Sequence, residues 1–360
     1  MTLKSKLKKN KVYIIAEIGV NHNGKIDIAK KLIDCAKKCG ADAVKLQNFI
    51  TENLATKDAK KAPYQSKNMP IKETQFKMLK KFELKFNEYF LLKKYALKKK
   101  IDLISSPFDE KSLDFLSLKL KLNTVKIPSG EINNIFLLKK LNPNKYNIIL
   151  STGMSNLKEI VDAINLICKK RVLIFKSNNN IILSLNNFKI FKNKIYILHC
   201  VTDYPVEEKY ANLNAISTLQ KKLNFITGYS DHTKNIIAPL IAVSKGARII
   251  EKHLTLNNNM IGPDHKASLS PKDFSNMVNL IRRYEIMAGD GIKIPQICEK
   301  KNILIARKSL VAKTKILKGE TFTMQNITAK RPGKGIPPNK IDFILGKRAK
   351  KNYLEDELIK

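Results

Sequence analysis

The sequence predicts a (β/α)₈ barrel followed by a small β-rich domain, and three observations carry that expectation. A short apolar, β-branched run followed by a helical stretch recurs eight times within about 290 residues. Runs of this length separated by helix-period segments read as parallel strands buried on both faces, and eight such units match a closed barrel in count and size. No Gly-rich dinucleotide fingerprint follows the first run, which disfavours a doubly wound open sheet. After about Ile286 the pattern changes to short runs broken by turn signals at Lys318-Gly319 and Pro332-Gly333-Lys334-Gly335.

Taken in order, the strand-like runs span 12–19, 43–49, 101–108, 124–131, 148–154, 195–201, 226–232 and 247–255. The first intervening helix carries Ile28, Leu32, Cys35 and Cys39 on one stripe, a core-facing pattern. The last begins Ser270-Pro271, an N-cap with proline at the first helical position, and then spaces Phe274, Met277, Val278 and Ile281 helically. Residues 50–74 form a long connection after the second strand, the kind of segment that serves as a lid or substrate loop. Residues 171–194 read as an insertion at the bottom of the barrel, since they precede a strand. The expected organisation is a barrel over 1–286, a linker over 287–301 and a small domain over 302–360.

The formal charge of +37 raises the question of a polyanion partner. Its lysines are spread along the chain and no aromatic-plus-basic module accompanies them, so nucleic acid is not expected. No apolar run reaches the roughly 18–20 residues that span a bilayer. The basic start lacks the apolar stretch of a signal peptide, and a cytoplasmic protein is expected. Five cysteines fit no zinc spacing and read as reduced thiols.

In such a barrel the chemistry gathers at the C-terminal strand ends. Those ends carry Glu17; Lys45 and Gln47; Ser105 and Ser106; Lys126, Ser129 and Glu131; Ser151; His199, Cys200, Thr202 and Tyr204; Ser230, Asp231 and His232; and Glu251, Lys252 and His253, with Asp264 and His265 beyond. Charges inside a barrel mouth are costly unless paired or bound, so their recurrence has a chemical meaning. Lys45 and Lys126, with hydroxyls from Ser106, Ser129 and Ser230, suit a phosphate and a carboxylate. His232 and His253 end neighbouring strands, where two imidazoles can meet one divalent ion. As an isolated pair they would read as structural histidines. Glu17, Glu131, Glu251 and Asp264 can serve as acid, base or orienting groups. His199 sits within an apolar strand and reads as packed.

The strand-end segments also resemble the sialic acid synthase family. The resemblance rests on Ala16-Glu17-Ile18-Gly19-Val20-Asn21-His22-Asn23-Gly24, Lys126-Ile127-Pro128-Ser129-Gly130-Glu131, Ser151-Thr152-Gly153-Met154, Ser230-Asp231-His232-Thr233, Ile250-Glu251-Lys252-His253 and Gly262-Pro263-Asp264-His265. The tail, with Ala306-Arg307-Lys308-Ser309-Leu310 and Lys330-Arg331-Pro332-Gly333, is similar to the antifreeze-like SAF domain of the same family. The resemblance implies condensation of phosphoenolpyruvate with the aldehyde of N-acetylmannosamine, releasing phosphate and forming N-acetylneuraminate. The alternative product is legionaminic or pseudaminic acid, made from a 2,4-diacetamido-trideoxyhexose. A remote alternative is an inactive barrel that binds a polyanion.

By the same resemblance, Lys45, Ser106, Lys126, Ser129, Thr202 and Ser230 hold phosphoenolpyruvate, and His232 and His253 hold Mn²⁺ or Mg²⁺. Gln47, Tyr204, Asp264 and Arg331 bind the sugar, while Glu17, Glu131 and Glu251 manage protons and water. It further implies a domain-exchanged homodimer in which Arg331 reads the N-acyl group. Val201-Thr202-Asp203 and Val206-Glu207-Glu208-Lys209 depart from the family pattern around Tyr204.

Overall fold

The structure is a computed structural model that describes residues 2–176, 181–183 and 185–360. Its contacts divide into two compact units, Met1–Ala288 and Gly289–Lys360.

The first unit is a closed parallel barrel. Its strands are β1 (Tyr13–Gly19), β2 (Ala43–Asn48), β3 (Asp102–Pro107), β4 (Thr124–Ile127), β5 (Asn147–Ser151), β8 (Ile195–Cys200), β9 (Ile226–Asp231) and β10 (Ile249–His253). They close in the order β1-β10-β9-β8-β5-β4-β3-β2, so chain neighbours are barrel neighbours. All eight expected strands are present; β5 begins one residue earlier than expected, and each is trimmed by a residue or more at one or both ends. The excursion at 171–194 forms a hairpin, β6 (Leu173–Phe175) against β7 (Ile181–Leu183), and the helix Leu185–Phe191. Residues 177–180 and 184 of that segment lie outside the described residues.

Side chains alternate across each strand, so residues two apart share a face. The outward lane, including Ile14, Ala16, Val44, Leu46 and Ile250, packs under the helices Ile26–Lys38 and Pro271–Met287. Val125, Ile127, Ile148, Leu150, Ile195 and Ile197 do the same on the other half. The inward lane starts apolar: Tyr13, Ile15, Ala43, Ile104, Ile149, Tyr196, Leu198 and Ile249 form one buried cluster, joined by Leu3 from the helix Leu3–Lys8. Two residues further along the same lanes come Glu17, Lys45, Ser106, Ser151, Cys200 and Glu251, all buried. The barrel interior therefore changes from hydrocarbon to ionisable groups within one pleat.

The second unit pairs β11 (Ser309–Ala312) antiparallel with β12 (Ile327–Lys330) over its own core of Leu310, Ile316, Phe322, Ile327, Tyr353 and Ile359. The helix Lys300–Ala306 belongs to this unit.

Candidate active site

The C-terminal strand ends enclose a cavity of about 330 Å³. Glu17, Lys45, Gln47, Lys126, Ser129, Thr202, Tyr204, Ser230, His232, Glu251, His253 and Asp264 all line it. The sequence-level expectation that these distant residues converge is met for that set.

At the floor lies a buried charge cluster. Lys126 Nζ donates to Glu251 Oε1 at 3.0 Å, and Ser230 Oγ donates to the same oxygen at 2.8 Å. Lys45 Nζ pairs with Glu17, stands 3.8 Å from Glu251 Oε1, and donates to Ser106 Oγ at 3.3 Å. Ser106 itself is fully buried and does not line the cavity. Burial favours the neutral form of every member, and the pairings decide which of them resist. Against that burial, Lys126 and Lys45 hold the Glu251 carboxyl down to about 2. For Glu17, burial outweighs the pull of Lys45, and the nearby Glu251 charge adds to it, so its pKa rises. Lys45 is pulled down by burial but held above its usual range by Glu17 and Glu251. Asp264 is raised to about 7 by burial and by the Glu17 charge. One carboxylate thus stays ionised while two others sit closer to proton exchange, the separation of environments that assigns acid and base roles.

Backbone shape keeps this cluster open. The register between β1 and β2 shifts between Glu17 and Gly19, and Gly19 adopts φ +27°. A Cβ there would meet Glu17 Oε1 at 2.3 Å and Gln47 Nε2 at 2.8 Å, so only glycine leaves both side chains in place. Gly153 plays a similar part: its N–H donates to Ser129 Oγ at 3.0 Å, and a Cβ would strike Thr202 Oγ1.

Ser151 Oγ, Thr202 Oγ1 and Glu251 Oε2 are buried without hydrogen-bond partners. Two orphaned hydroxyls beside two lysines are what a site for an oxygen-rich anion looks like before the anion arrives, whereas the ionised Glu251 oxygen can only accept.

The two candidate metal ligands face each other with ring centroids 5.6 Å apart. His232 Nδ1 donates to the Val201 carbonyl at 2.7 Å, which leaves the Nε2 lone pair as its free donor. Burial and the neighbouring His232 and Lys45 push His253 well below the usual imidazole range, which favours the neutral, ligating form. Asp264 Oδ2 stands 3.8 Å from His253 Nδ1. Among the described residues there is no group of three or more His, Cys, Asp or Glu arranged around a metal. His232 and His253 are the two imidazoles at this mouth that could hold a divalent ion.

One strand position behind these histidines, on the opposite face, Lys252 Nζ pairs with Asp231 Oδ2 at 2.5 Å and donates to the Thr233 carbonyl. This fully buried pair ties β9 to β10 beneath His232 and His253.

The upper wall comes from the long connection at 50–74, which contains the short helices Thr51–Leu54 and Pro63–Asn68. Tyr64 and Gln65 line the cavity. The Tyr64 ring lies 4.8 Å from that of Tyr204, which in turn lies 4.1 Å from His232. Asn68 Nδ2 donates to the Pro263 carbonyl at 2.7 Å, fastening the connection beside Asp264. Sequence reading identified the segment but neither residue, because its two short helices carry no periodic signal.

One expected site residue of the barrel falls elsewhere. Glu131 does not line the cavity; its carboxylate turns aside to accept from Asn134 Nδ2 at 2.6 Å. A tight turn at Ser129–Glu131 follows β4, and this swings the third residue away from the mouth. Arg331 lies exposed in the second unit, where its Nε donates to the Ala306 carbonyl at 2.9 Å. His199, as expected, is packed: Nε2 bonds the Ala211 carbonyl at 2.8 Å and the ring stacks on Tyr229.

The chain has relatives among known proteins. Residues 32–293 match the model of the NeuB family, and residues 307–360 match the SAF domain. The chain is 47% identical over 350 residues to N,N'-diacetyllegionaminic acid synthase of Campylobacter jejuni, covering 97% of this chain and 99% of that one. It is 39% identical to the protein of the same name from Legionella pneumophila, over 94% of this chain and 91% of the other. Among solved structures, the N-acetylneuraminic acid synthetase of Leptospira borgpetersenii aligns at 33% identity with a TM-score of 0.66, covering 82% of this chain and 90% of that one.

Proposed function

Since the chain belongs to the NeuB family of nonulosonic acid synthases, we propose that it condenses phosphoenolpyruvate with a 2,4-diacetamido-2,4,6-trideoxyhexose to form N,N'-diacetyllegionaminic acid and phosphate. The observation that carries the sugar choice is the 47% identity to a diacetyllegionaminic acid synthase across nearly both whole chains. A second relative of that name at 39% supports it, against 33% for the sialic acid synthetase. The sequence-level preference for N-acetylmannosamine gives way accordingly. The strand-end motifs from which it was read serve the shared condensation and are silent about the sugar.

The site's residues divide the work. Lys45 and Lys126 clamp the phosphate and carboxylate of phosphoenolpyruvate, with Ser129, Ser151, Thr202 and Ser230 completing the oxygen contacts. Their position fixes carbon 3 of the enol beside the sugar aldehyde, so orientation supplies much of the rate. A divalent ion held by His232 and His253 would supply Lewis-acid polarisation of the aldehyde oxygen. As carbon 3 bonds to the aldehyde carbon, that oxygen takes a proton, and Asp264, raised to about 7, is the group placed to give it. Water then adds at carbon 2, losing one proton to Glu17, and the adduct collapses to the ketone as phosphate leaves with the electrons of its C–O bond and takes the remaining hydroxyl proton. Glu251 stays ionised throughout and holds both lysines in place. Gln47, Tyr204 and Tyr64 face the sugar end of the cavity.

The same proposal includes a homodimer, a contact from Arg331 to an N-acyl group, and a cytoplasmic setting. No described helix is long and apolar enough to cross a membrane, and the cysteines are free. Light scattering and Arg331→Ala kinetics test the first two. The decisive experiment measures phosphate release with N-acetylmannosamine and with 2,4-diacetamido-2,4,6-trideoxymannose under Mn²⁺. Preference for the diacetamido sugar is expected; turnover of N-acetylmannosamine alone would overturn the proposal.

A further inference from the structure

The opposite, N-terminal end of the barrel carries a second cavity of about 320 Å³. It opens where β3, β4, β5 and β8 begin, next to the helix Leu3–Lys8, and no residue of the active-site cavity lines it. In a barrel of this kind the N-terminal end ordinarily serves stability alone, so an open cleft there with a strong charge bias is unexpected.

The bias comes from five lysines: Lys4, Lys93, Lys121, Lys145 and Lys194 all line the cleft. Lys93 is occupied, donating to the Leu120 carbonyl at 2.6 Å. Among the described residues, no carboxylate pairs with Lys4, Lys121, Lys145 or Lys194. Asp102 is the one acidic residue of the lining, and its Oδ2 already accepts from Tyr13 OH at 2.7 Å. Lys4 and Lys194 are half-buried and close enough that, after burial, the Lys194 charge lowers the pKa of Lys4. Like charges lining one cleft repel, and an anion among them relieves the repulsion. The floor is apolar, built from Leu3, Leu122 and the ring of Tyr146. The volume is at the lower end of the range for small-molecule sites.

We propose that this cleft binds a small phosphorylated molecule with a planar or apolar portion, of the nucleoside diphosphate class, at the end of the barrel remote from the chemistry. The phosphates lie between Lys4 and Lys194, with Lys121 and Lys145 at the rim, and the planar portion rests on Tyr146.

Calorimetric titration of the full chain in low salt tests this, with ADP and with inorganic pyrophosphate, each in the presence of saturating phosphoenolpyruvate. One saturable ADP site is expected, with pyrophosphate weaker. The variant K4A/K194A should weaken ADP about tenfold or more, the loss of a charge-assisted contact. K121A/K145A, at two exposed rim positions, should weaken it by a smaller factor. Phosphate release without ADP should be unchanged in both. K38A/K272A, which removes two exposed lysines outside the cleft, should bind as the parent does. The proposal fails if ADP shows no saturable binding up to about 1 mM. It also fails if K4A/K194A binds as the parent does, if K38A/K272A loses as much, or if pyrophosphate equals ADP.

Discussion

The lower and upper halves of the barrel interior are built from the same lanes of the same strands and behave oppositely. Ile15, Ala43, Ile104, Ile149 and Ile249 interlock as hydrocarbon, while Glu17, Lys45, Ser106, Ser151 and Glu251 stand one pleat above them. Both layers are buried, so exposure does not distinguish them. The difference lies in satisfaction: the lower layer is complete by itself, whereas the upper layer keeps the Ser151 and Thr202 hydroxyls without partners. A protein retains such unsatisfied groups where a ligand completes them, at a cost the packed layer below sustains.

The largest effect expected from breaking the contrast is in the upper layer. Lys126→Met should lower kcat/KM for phosphoenolpyruvate by about 10²–10³-fold, as loss of a preorganised charge does. Phosphate release measures it, and circular dichroism should show the fold retained; activity within a few-fold of the parent would remove Lys126 from the anion clamp. Chelation should likewise silence turnover, and Mn²⁺ should restore it. The chelator and Mn²⁺ should have no such effect on His253→Ala, which has lost a ligand.

Gly19→Ala probes the joint between layers. Its Cβ would displace Glu17 and Gln47, and its φ of +27° disfavours any side chain. A stability loss of about 1–3 kcal/mol should accompany a drop in kcat. Normal kcat in the purified variant would show that Glu17 tolerates displacement.

Ile149→Ala tests the lower layer. It should cost about 2–5 kcal/mol of stability in urea unfolding, with kcat/KM of the folded enzyme nearly unchanged. A large kinetic defect at low temperature would mean that the two layers are not separable.

Tyr64→Ala should have the smallest effect. Its ring packs on Tyr204, which is proposed to contact the sugar, so KM for the sugar should rise while KM for phosphoenolpyruvate holds. Equal changes in both would place Tyr64 in general wall packing instead.

Much of this was legible in the chain. The eight runs, the polar residues that end them and the change of character near Ile286 were all visible as pattern. Lys45, Lys126, His232 and His253 were identified because each ends a run, and barrel topology brings run ends together. Tyr64 and Gln65 were not, since they belong to a connection whose two helices are a turn or so long and leave no periodic trace. Glu131 was overcounted: it sits in a strand-end motif, yet the turn after β4 directs it to Asn134. The cleft at the N-terminal end was invisible, since its lysines are individually ordinary in a chain with a charge of +37.

By itself, the sequence determined the barrel and the polar residues that end its strands, because hydrophobic periodicity dictates which face of each strand is buried and where polarity begins. Only the tertiary structure decided which carboxylate stays charged and which is free to exchange a proton. Those properties depend on distances between side chains from different strands: Lys126 to Glu251, Lys45 to Glu17, Asp264 to His253. Coulomb energy and desolvation vary with separation and burial, and neither is encoded in any one strand.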